Sequence, residues 1–163
     1  MSRLSKNFTL AELLHSQIAA RHGIDNSPSP AHRANLQRLV TTLLQPMRDL
    51  LGVPILVSSG YRSETLNRKI GGSKTSAHSI GFAADFTAPS YGDPYQIASA
   101  LAHLLPKHGI KFDQLILEFY NPKTGQGWVH IGLYNRAMQQ RNQVLTAKRR
   151  ADGSTEYLTG VVL

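Results

Sequence analysis

The chain has 163 residues, with 18 Lys and Arg against 10 Asp and Glu, which gives a formal charge of +8 at pH 7. Apolar residues make up 41% and charged residues 17%, a composition typical of one globular domain that excludes disordered, collagen-like and coiled-coil chains. The chain has no cysteine. Disulfide scaffolds and cysteine nucleophiles are therefore excluded, and any metal must be held by His, Asp or Glu.

The N-terminal part of the chain is predicted to be helical. Residues 8–20 are typical of a short amphipathic helix, and Thr9 is placed to cap its start. A second helix is predicted to begin at Ser29 and Pro30, which stand in the preferred order of N-cap and first helical residue.

This second helix carries a continuous apolar face. Leucine, valine and methionine recur at helical spacing over residues 36–51, so this face is predicted to lie in the core. Pro46 lies inside the pattern. We expect it to kink or end the helix near Leu44 or Gln45, because its ring clashes with the preceding turn.

Strands are predicted in the remainder of the chain, with a short helix over 65–70 and a longer one that Asp93 caps. Because helices come first and strands later, the order favours an α+β fold, with helices packed on a small antiparallel sheet. The loop 121–125 predicts an antiparallel hairpin between the strands on either side of it. The four strand segments are 53–57, 81–86, 113–119 and 128–133.

The whole chain, 1–163, is expected to form a single domain. Its core is expected over about 7–135, and residues 136–163 form a C-terminal extension. The turn residues 151–154 lie between two apolar segments and predict a β-hairpin there.

The sequence also bears on location and charge. No apolar run approaches the ~20 residues that a membrane span needs, and the first 20 residues lack the apolar segment of a signal peptide. We therefore expect synthesis in the cytoplasm without stable membrane insertion. The positive charge indicates either an anionic partner, such as nucleic acid or an acidic cell wall, or no more than solubility.

Three residues are candidates for a metal site. His78 and Asp85 are separated by mostly small residues, and His130 lies on a predicted strand. Two histidines and a carboxylate suit a catalytic zinc, because three protein ligands leave the fourth tetrahedral position open. The alternative is that each histidine has a structural role.

Glu118 is the candidate general base. In the strand 113–119 the aliphatic residues and Phe119 alternate onto the core face, which leaves Glu118 on the opposite face. A hairpin that pairs Leu117 with Ile131 puts Glu118 directly beside His130. There it could take a proton from water and give one to a leaving amine. The alternative is an ordinary surface glutamate.

Several segments resemble the zinc D-Ala-D-Ala carboxypeptidase family, peptidase M15, which also includes D,D-dipeptidases and phage L-alanyl-D-glutamate endolysins. His78-Ser-Ile-Gly-Phe-Ala-Ala-Asp85 is similar to the family's H-x-x-G-x-A-x-D signature, and residues 58–63 are similar to its S-G-Y-R-S segment. Trp128-Val-His130 resembles its closing W-x-H. The resemblance covers most of residues 7–135 and implies a fold like that of these carboxypeptidases and Hedgehog proteins.

The resemblance implies roles for individual residues. Arg62 would hold the substrate, because its planar guanidinium matches a carboxylate or a peptide oxygen. Ser76 would support the substrate site, and we expect Trp128 to form part of the wall or core of the cleft. One Zn²⁺ ion would be bound by His78, Asp85 and His130.

The sequence departs from the family pattern at one position. Many members carry an acidic residue three positions before the last histidine, and here that position is Gly127. The base must then come from elsewhere, which makes Glu118 the best candidate and leaves Asp113 in reserve.

The predicted function is zinc-dependent cleavage of peptidoglycan stem peptides, either at D-Ala-linked bonds or at the L-Ala–D-Glu bond. A monomeric phage or prophage endolysin fits best, released from the cytoplasm to act at the cell wall of the host. The alternative is a catalytically weak peptidase-like module that binds peptidoglycan, which Gly127 favours. Nucleic acid is not an expected partner, because the typical recognition motifs are missing.

Overall fold

A computed structural model describes residues 2–163, and its helices lie mostly in the first two thirds of the chain. A π-helical turn over Val40–Leu44 joins the third helix to the fourth, and a 3₁₀ turn spans Ala77–Ile80. The α-helices of residues 2–163 are α1 Leu10–Leu14, α2 Gln17–Arg21, α3 Pro30–Leu39, α4 Gln45–Leu51, α5 Glu64–Lys69 and α6 Pro94–Lys107.

The strands of residues 2–163 form one six-stranded sheet with the order β1-β2-β4-β3-β5-β6. Helices packed against one face of this mainly antiparallel sheet confirm the predicted α+β class. No helix in this range is both long and apolar enough to cross a bilayer. The strands are β1 Leu56–Ser59, β2 Ala83–Thr87, β3 Gln114–Asn121, β4 Gln126–Gly132, β5 Gln143–Arg149 and β6 Thr155–Thr159.

The sheet is mixed rather than antiparallel throughout, because β5 runs parallel to β3. Gln114 at the start of β3 pairs with Gly132 at the end of β4, so the chain leaves β4 at the end where β3 begins. The other edge of β4 is already paired with β2, so β5 joins the sheet at the outer edge of β3. A strand that enters there after a short loop must run in the direction of β3.

The cap predictions are confirmed, but the first predicted helix is divided in two. Thr9 caps α1 in a capping box with Glu12, and Ser29 and Asp93 cap α3 and α6. The chain breaks after α1 because Ser16 adopts an extended conformation and its hydroxyl accepts a hydrogen bond from the Ala19 N–H. Ser16 thereby becomes the N-cap of α2.

Pro46 distorts the long helix at the predicted place but does not end it. The π-helical turn lies directly before Gln45, whose N–H donates to the carbonyl of Val40, five residues earlier. A wider turn gives the proline ring room beside the preceding carbonyls, so the helix continues to Leu51.

The core lies between this helix, α6 and one face of the sheet. Leu39 and Leu43 on the helix are fully buried, as are Ile97 and Leu101 on α6. The sheet contributes alternate residues of its central strands, so the other face is left for a cleft. These core-facing strand residues include Leu115, Leu117, Val129 and Ile131.

The hairpin of β3 and β4 has a different register from the predicted one. Leu117 pairs with Val129 and Glu118 with Trp128, a shift of two residues that keeps the side chains up to Glu118 on their predicted faces. A bulge follows Glu118, before Asn121 pairs with Gln126. Phe119 has a φ of 52° there. It is therefore turned toward the cleft, which corrects its predicted place on the core face.

The buried face of α3 gives a stability prediction. Leu39 is 0% exposed, and Leu39→Ala should lower the free energy of unfolding by about 2–5 kcal/mol through lost burial and a residual cavity. Urea denaturation measures this change. Thr41 is exposed and lies two residues after Leu39. Thr41→Ala should change the free energy of unfolding by less than about 1 kcal/mol. Equal losses in the two variants would contradict the assigned core face.

Candidate active site

Three side chains from separate elements converge on the face of the sheet opposite the core. His78 lies in the 3₁₀ turn Ala77–Ile80, Asp85 on β2 and His130 on β4. Asp85 Oδ1 lies 3.2 Å from His78 Nε2 and 3.0 Å from His130 Nδ1. Their ligand atoms all lie within 4.8 Å of one another, so the group could hold one metal ion. The sequence predicts these three residues as ligands, and the fold brings them together.

Local structure fixes the positions of these side chains. Asp85 and His130 are direct partners in the register of β2 and β4. The Ser76 hydroxyl accepts a hydrogen bond from the His78 N–H at 3.2 Å and so caps the 3₁₀ turn. Gly81 ends that turn with a φ of +84°, and a Cβ there would lie 2.6 Å from the His32 carbonyl oxygen. A glycine is required for the chain to turn into β2.

The second nitrogen of His78 shows how its ring is protonated. Nδ1 lies 2.7 Å from the carbonyl oxygen of Gly60, which can only accept, so Nδ1 donates and Nε2 of the neutral ring offers a lone pair. Within residues 2–163, Nε2 has no hydrogen-bond partner, and it faces the Asp85 carboxylate. His78 Nε2 and the Asp85 carboxylate are thus two hydrogen-bond acceptors that face each other, and a cation between them would satisfy both. The donor set therefore fits a metal ion, and zinc suits its two imidazoles and one carboxylate.

The charges of the three groups depend on one another. Burial lowers the pKa of His78, because the buried ring loses the water that would solvate its charged form. Burial opposes ionisation of Asp85, but His78 and His130 outweigh it and hold the pKa of that carboxyl below its usual value. The pKa of His130 is raised despite burial, because its hydrogen bond to Asp85 favours the protonated ring. Asp85 is therefore ionised at neutral pH, as a metal ligand must be.

Glu118 lies beside this group, diagonal to His130 rather than directly opposite it. Its Oε1 lies 3.9 Å from His130 Nδ1, and its Oε2 accepts a hydrogen bond from the indole Nε1 of Trp128 at 3.0 Å. Burial raises the pKa of Glu118, and the charge of Asp85 raises it further. The carboxyl is thus held by one oxygen while the other faces the histidine pair. A carboxyl in this setting is suited to accept and return a proton.

Arg62 lies on the other side of Asp85. Its Nη2 is 3.9 Å from Asp85 Oδ2, and its Nη1 donates to the Oδ1 of Asn67 at 3.3 Å. The Nε atom is buried and has no partner in the part of the chain that the structure describes. Burial lowers the pKa of Arg62, although Asp85 and Glu118 oppose the shift. Asn67 was not found from the sequence, because a single asparagine in a short helix forms no pattern.

Asp113, the reserve base, is not available for proton transfer. Arg141 donates to both of its oxygens, from Nε at 2.7 Å and from Nη2 at 2.8 Å. Asp113 is also buried at the start of β3. This pair ties the loop after β4 to the sheet, which leaves Glu118 as the free carboxyl beside the histidines.

Gly127 has a structural reason to lack a side chain. Its φ is +131°, and a Cβ there would lie 2.9 Å from the Glu118 carbonyl oxygen and from the Tyr120 Cα. An acidic residue at this position would therefore strain the bulge that follows Glu118.

A cleft crosses the sheet over these residues. It consists of two adjoining cavities of about 790 and 710 Å³, which share four lining residues: Arg62, Asp85, Glu118 and Phe119. Trp128 and His15 line the first cavity, together with Ser59. His78, His130 and Ser76 line the second. The candidate metal group thus lies in the floor of an open cleft with space on either side of it.

Residues 6–118 match a family model described as Peptidase M15. The chain is also 39% identical over 105 residues to the zinc D-Ala-D-Ala carboxypeptidase of Streptomyces albus G. That similarity covers 63% of this chain and 38% of the relative. The matched part of this chain therefore corresponds to less than half of the length of this relative. His130 lies beyond the residues that the family model matches, and the geometry of the site supports it as the third candidate ligand.

The geometry of the three side chains gives a binding prediction. The wild-type protein should bind one equivalent of Zn²⁺ in isothermal titration calorimetry. Asp85→Asn should weaken that binding by at least about 100-fold, because it removes the anionic ligand while keeping the size of the side chain. His103→Ala, at an exposed position on α6, should leave the affinity unchanged. Equal affinities in all three proteins would refute the site.

Proposed function

Because the chain belongs to the peptidase M15 family, we propose that it is a zinc-dependent peptidase that cleaves amide bonds in the stem peptides of peptidoglycan. The observation that carries the proposal is the convergence of His78, Asp85 and His130 in an open cleft, with Glu118 and Arg62 on either side. A zinc ion bound there would act as a Lewis acid on the scissile carbonyl and lower the pKa of a bound water.

Glu118 supplies the proton transfers in this proposal. Trp128 fixes Oε2 by its indole hydrogen bond, so Oε1 is the atom directed at the reacting groups. Oε1 accepts a proton from the attacking water and returns it to the leaving amine. The raised pKa of Glu118 favours retention of the proton between the two steps.

Arg62 orients the substrate. Its guanidinium is only partly occupied by Asn67 and Asp85, and its buried position makes it a strong partner for an anionic group. A free carboxylate of the stem peptide, or the carbonyl oxygen next to the scissile bond, is the group it would bind. His78 is held by Gly60 and Ser76, so the ligand set keeps its geometry while the peptide binds.

The choice of stem peptides as the substrate is based on the relative, a zinc D-Ala-D-Ala carboxypeptidase. Cleavage of a D-Ala-linked bond and cleavage of the L-Ala–D-Glu bond are both compatible with the cleft. We further propose a monomeric endolysin of a phage or prophage, which is made in the cytoplasm and acts at the wall after release. The formal charge of +8 supports contact with an anionic cell wall.

The proposal predicts that activity depends on zinc and on Glu118. Purified protein should contain about one zinc ion, and mass spectrometry of digested sacculi should show new peptide termini that identify the cleaved bond. Chelation should abolish the cleavage. Glu118→Gln should lower kcat by about 10²–10⁴-fold, because it keeps an acceptor for Trp128 but cannot take up the proton.

Glu156→Gln is the matched control. Tyr157 pairs with Ala147, and both lie on the cleft face. Because side chains alternate along a strand, Glu156 lies on the opposite face. The Glu156→Gln protein should cleave at the wild-type rate. Undiminished cleavage by Glu118→Gln would show that Glu118 is not the base. Wild-type protein that binds zinc and sacculi without releasing new termini would favour a peptidoglycan-binding module instead.

A further inference from the structure

The C-terminal segment 136–163 lies outside the family match and still forms part of the cleft. Its strands β5 and β6 extend the sheet beyond β3. Arg141, Leu145 and Tyr157 line the cavity that contains His78 and His130, and Arg149 lines the adjoining cavity. Each side of the candidate metal group is thus bordered by this segment.

The pairing of the strands places Tyr157 in line with Glu118. Glu118 pairs with Ala147, and Ala147 pairs with Tyr157. Paired residues on adjacent strands point to the same face of a sheet. All three side chains therefore lie on the cleft face, and Ala147, which is buried, lies between the other two in the sheet.

Tyr157 is an exposed aromatic residue beside a polar site. Its exposed fraction is 58%, although burial still raises the pKa of its hydroxyl, and the charge of Glu118 raises it further. Tyr157 and Glu118 line the same cavity. A large ring with an apolar face and a polar tip suits contact with a peptide.

Small residues form the opposite side of the same cavity. Gly71, Gly72 and Ser73 line it, together with Thr75 and Ser76. Gly72 has no room for a side chain, since a Cβ there would lie 2.0 Å from the Asn67 Oδ1. A wall of short side chains leaves backbone groups accessible, so a bound peptide could form hydrogen bonds to this loop.

Several contacts hold the C-terminal wall in place. The Arg149 guanidinium lies 4.5 Å from the centre of the Phe119 ring, and its Nη1 donates to the Gly153 carbonyl oxygen at 3.2 Å. The buried Thr146 hydroxyl donates to the Gly160 carbonyl oxygen at 2.7 Å. The ring of Tyr157 is thus presented by a fixed hairpin, which lowers the entropic cost of binding.

We propose that Tyr157 is a substrate-contacting residue that sets specificity, with its ring packed against the bound stem peptide and its hydroxyl hydrogen-bonded to a peptide group. This inference rests on the proposed function and assigns one side of the cleft to the C-terminal hairpin. It requires the substrate to extend past Glu118 to the ring of Tyr157, along the cavity that both residues line. Peptides that end before this point gain nothing from Tyr157.

The test uses the full-length zinc-loaded protein and a soluble stem pentapeptide that contains both an L-Ala–D-Glu and a D-Ala–D-Ala bond. Tyr157→Ala should raise KM about tenfold and leave kcat within about twofold, since the ring contributes to binding and not to the chemistry. Tyr157→Phe should recover part of the loss. Tyr91→Ala, which removes another exposed tyrosine that lines neither cavity, is the control and should behave as wild type.

Binding of the same peptide to the Glu118→Gln protein, with and without Tyr157→Ala, gives a readout that needs no turnover. A rise in Kd with unchanged zinc content and thermal unfolding would support the contact. A KM and Kd for Tyr157→Ala equal to those for Tyr91→Ala would overturn it. Wild-type protein that cleaves neither sacculi nor pentapeptide would refute the proposed function, and the Kd comparison would then still decide whether Tyr157 contacts the peptide.

Discussion

The site depends on the burial of the Asp85 carboxylate between two imidazoles. A carboxylate that is 9% exposed on a central strand is costly unless charges or hydrogen bonds compensate it. His78 and His130 approach the same oxygen, and Arg62 approaches the other. These groups come from three places in the sequence, so the compensation exists only in the folded sheet. The neighbouring Ala83 and Ala84 are fully buried and small, which allows the surrounding chain to pack closely around β2.

The bulge in the hairpin of β3 and β4 explains where the candidate base is found. The φ of +131° at Gly127 and its close contacts with Glu118 and Tyr120 exclude a side chain there without rearrangement. At the same bulge Trp128 lies opposite Glu118, and its indole holds the Glu118 carboxyl. The glycine on β4 and the carboxyl on β3 are therefore parts of one backbone arrangement. On this view the glycine is compatible with catalysis and does not by itself favour a binding module.

Local patterns in the sequence predicted helix caps, strand faces and the ligand candidates, because each depends on residues close in the chain. The register of the hairpin could not be obtained in this way, since it depends on an irregularity after Glu118 that no spacing reveals. The side chains up to Glu118 still lie on their predicted faces, because a register shift of two residues preserves the alternation of side chains along a strand. The parallel entry of β5 was also missed, as it depends on which edge of the sheet remains free. Asn67 and Tyr157 reach the site only through tertiary contacts.

The C-terminal hairpin has a structural role that is difficult to separate from its proposed role in binding. Without β5, β3 would become an edge strand, and its unpaired backbone groups would be exposed next to Glu118. The buried Asp113 would also lose its ion pair with Arg141, which lies in the loop that leads into β5. Removal of the segment would therefore disturb the base and the wall together. Tyr157 differs from these supporting residues, because its side chain is mostly exposed and holds no buried partner in place, so only a substitution there isolates the contribution of the wall to substrate binding.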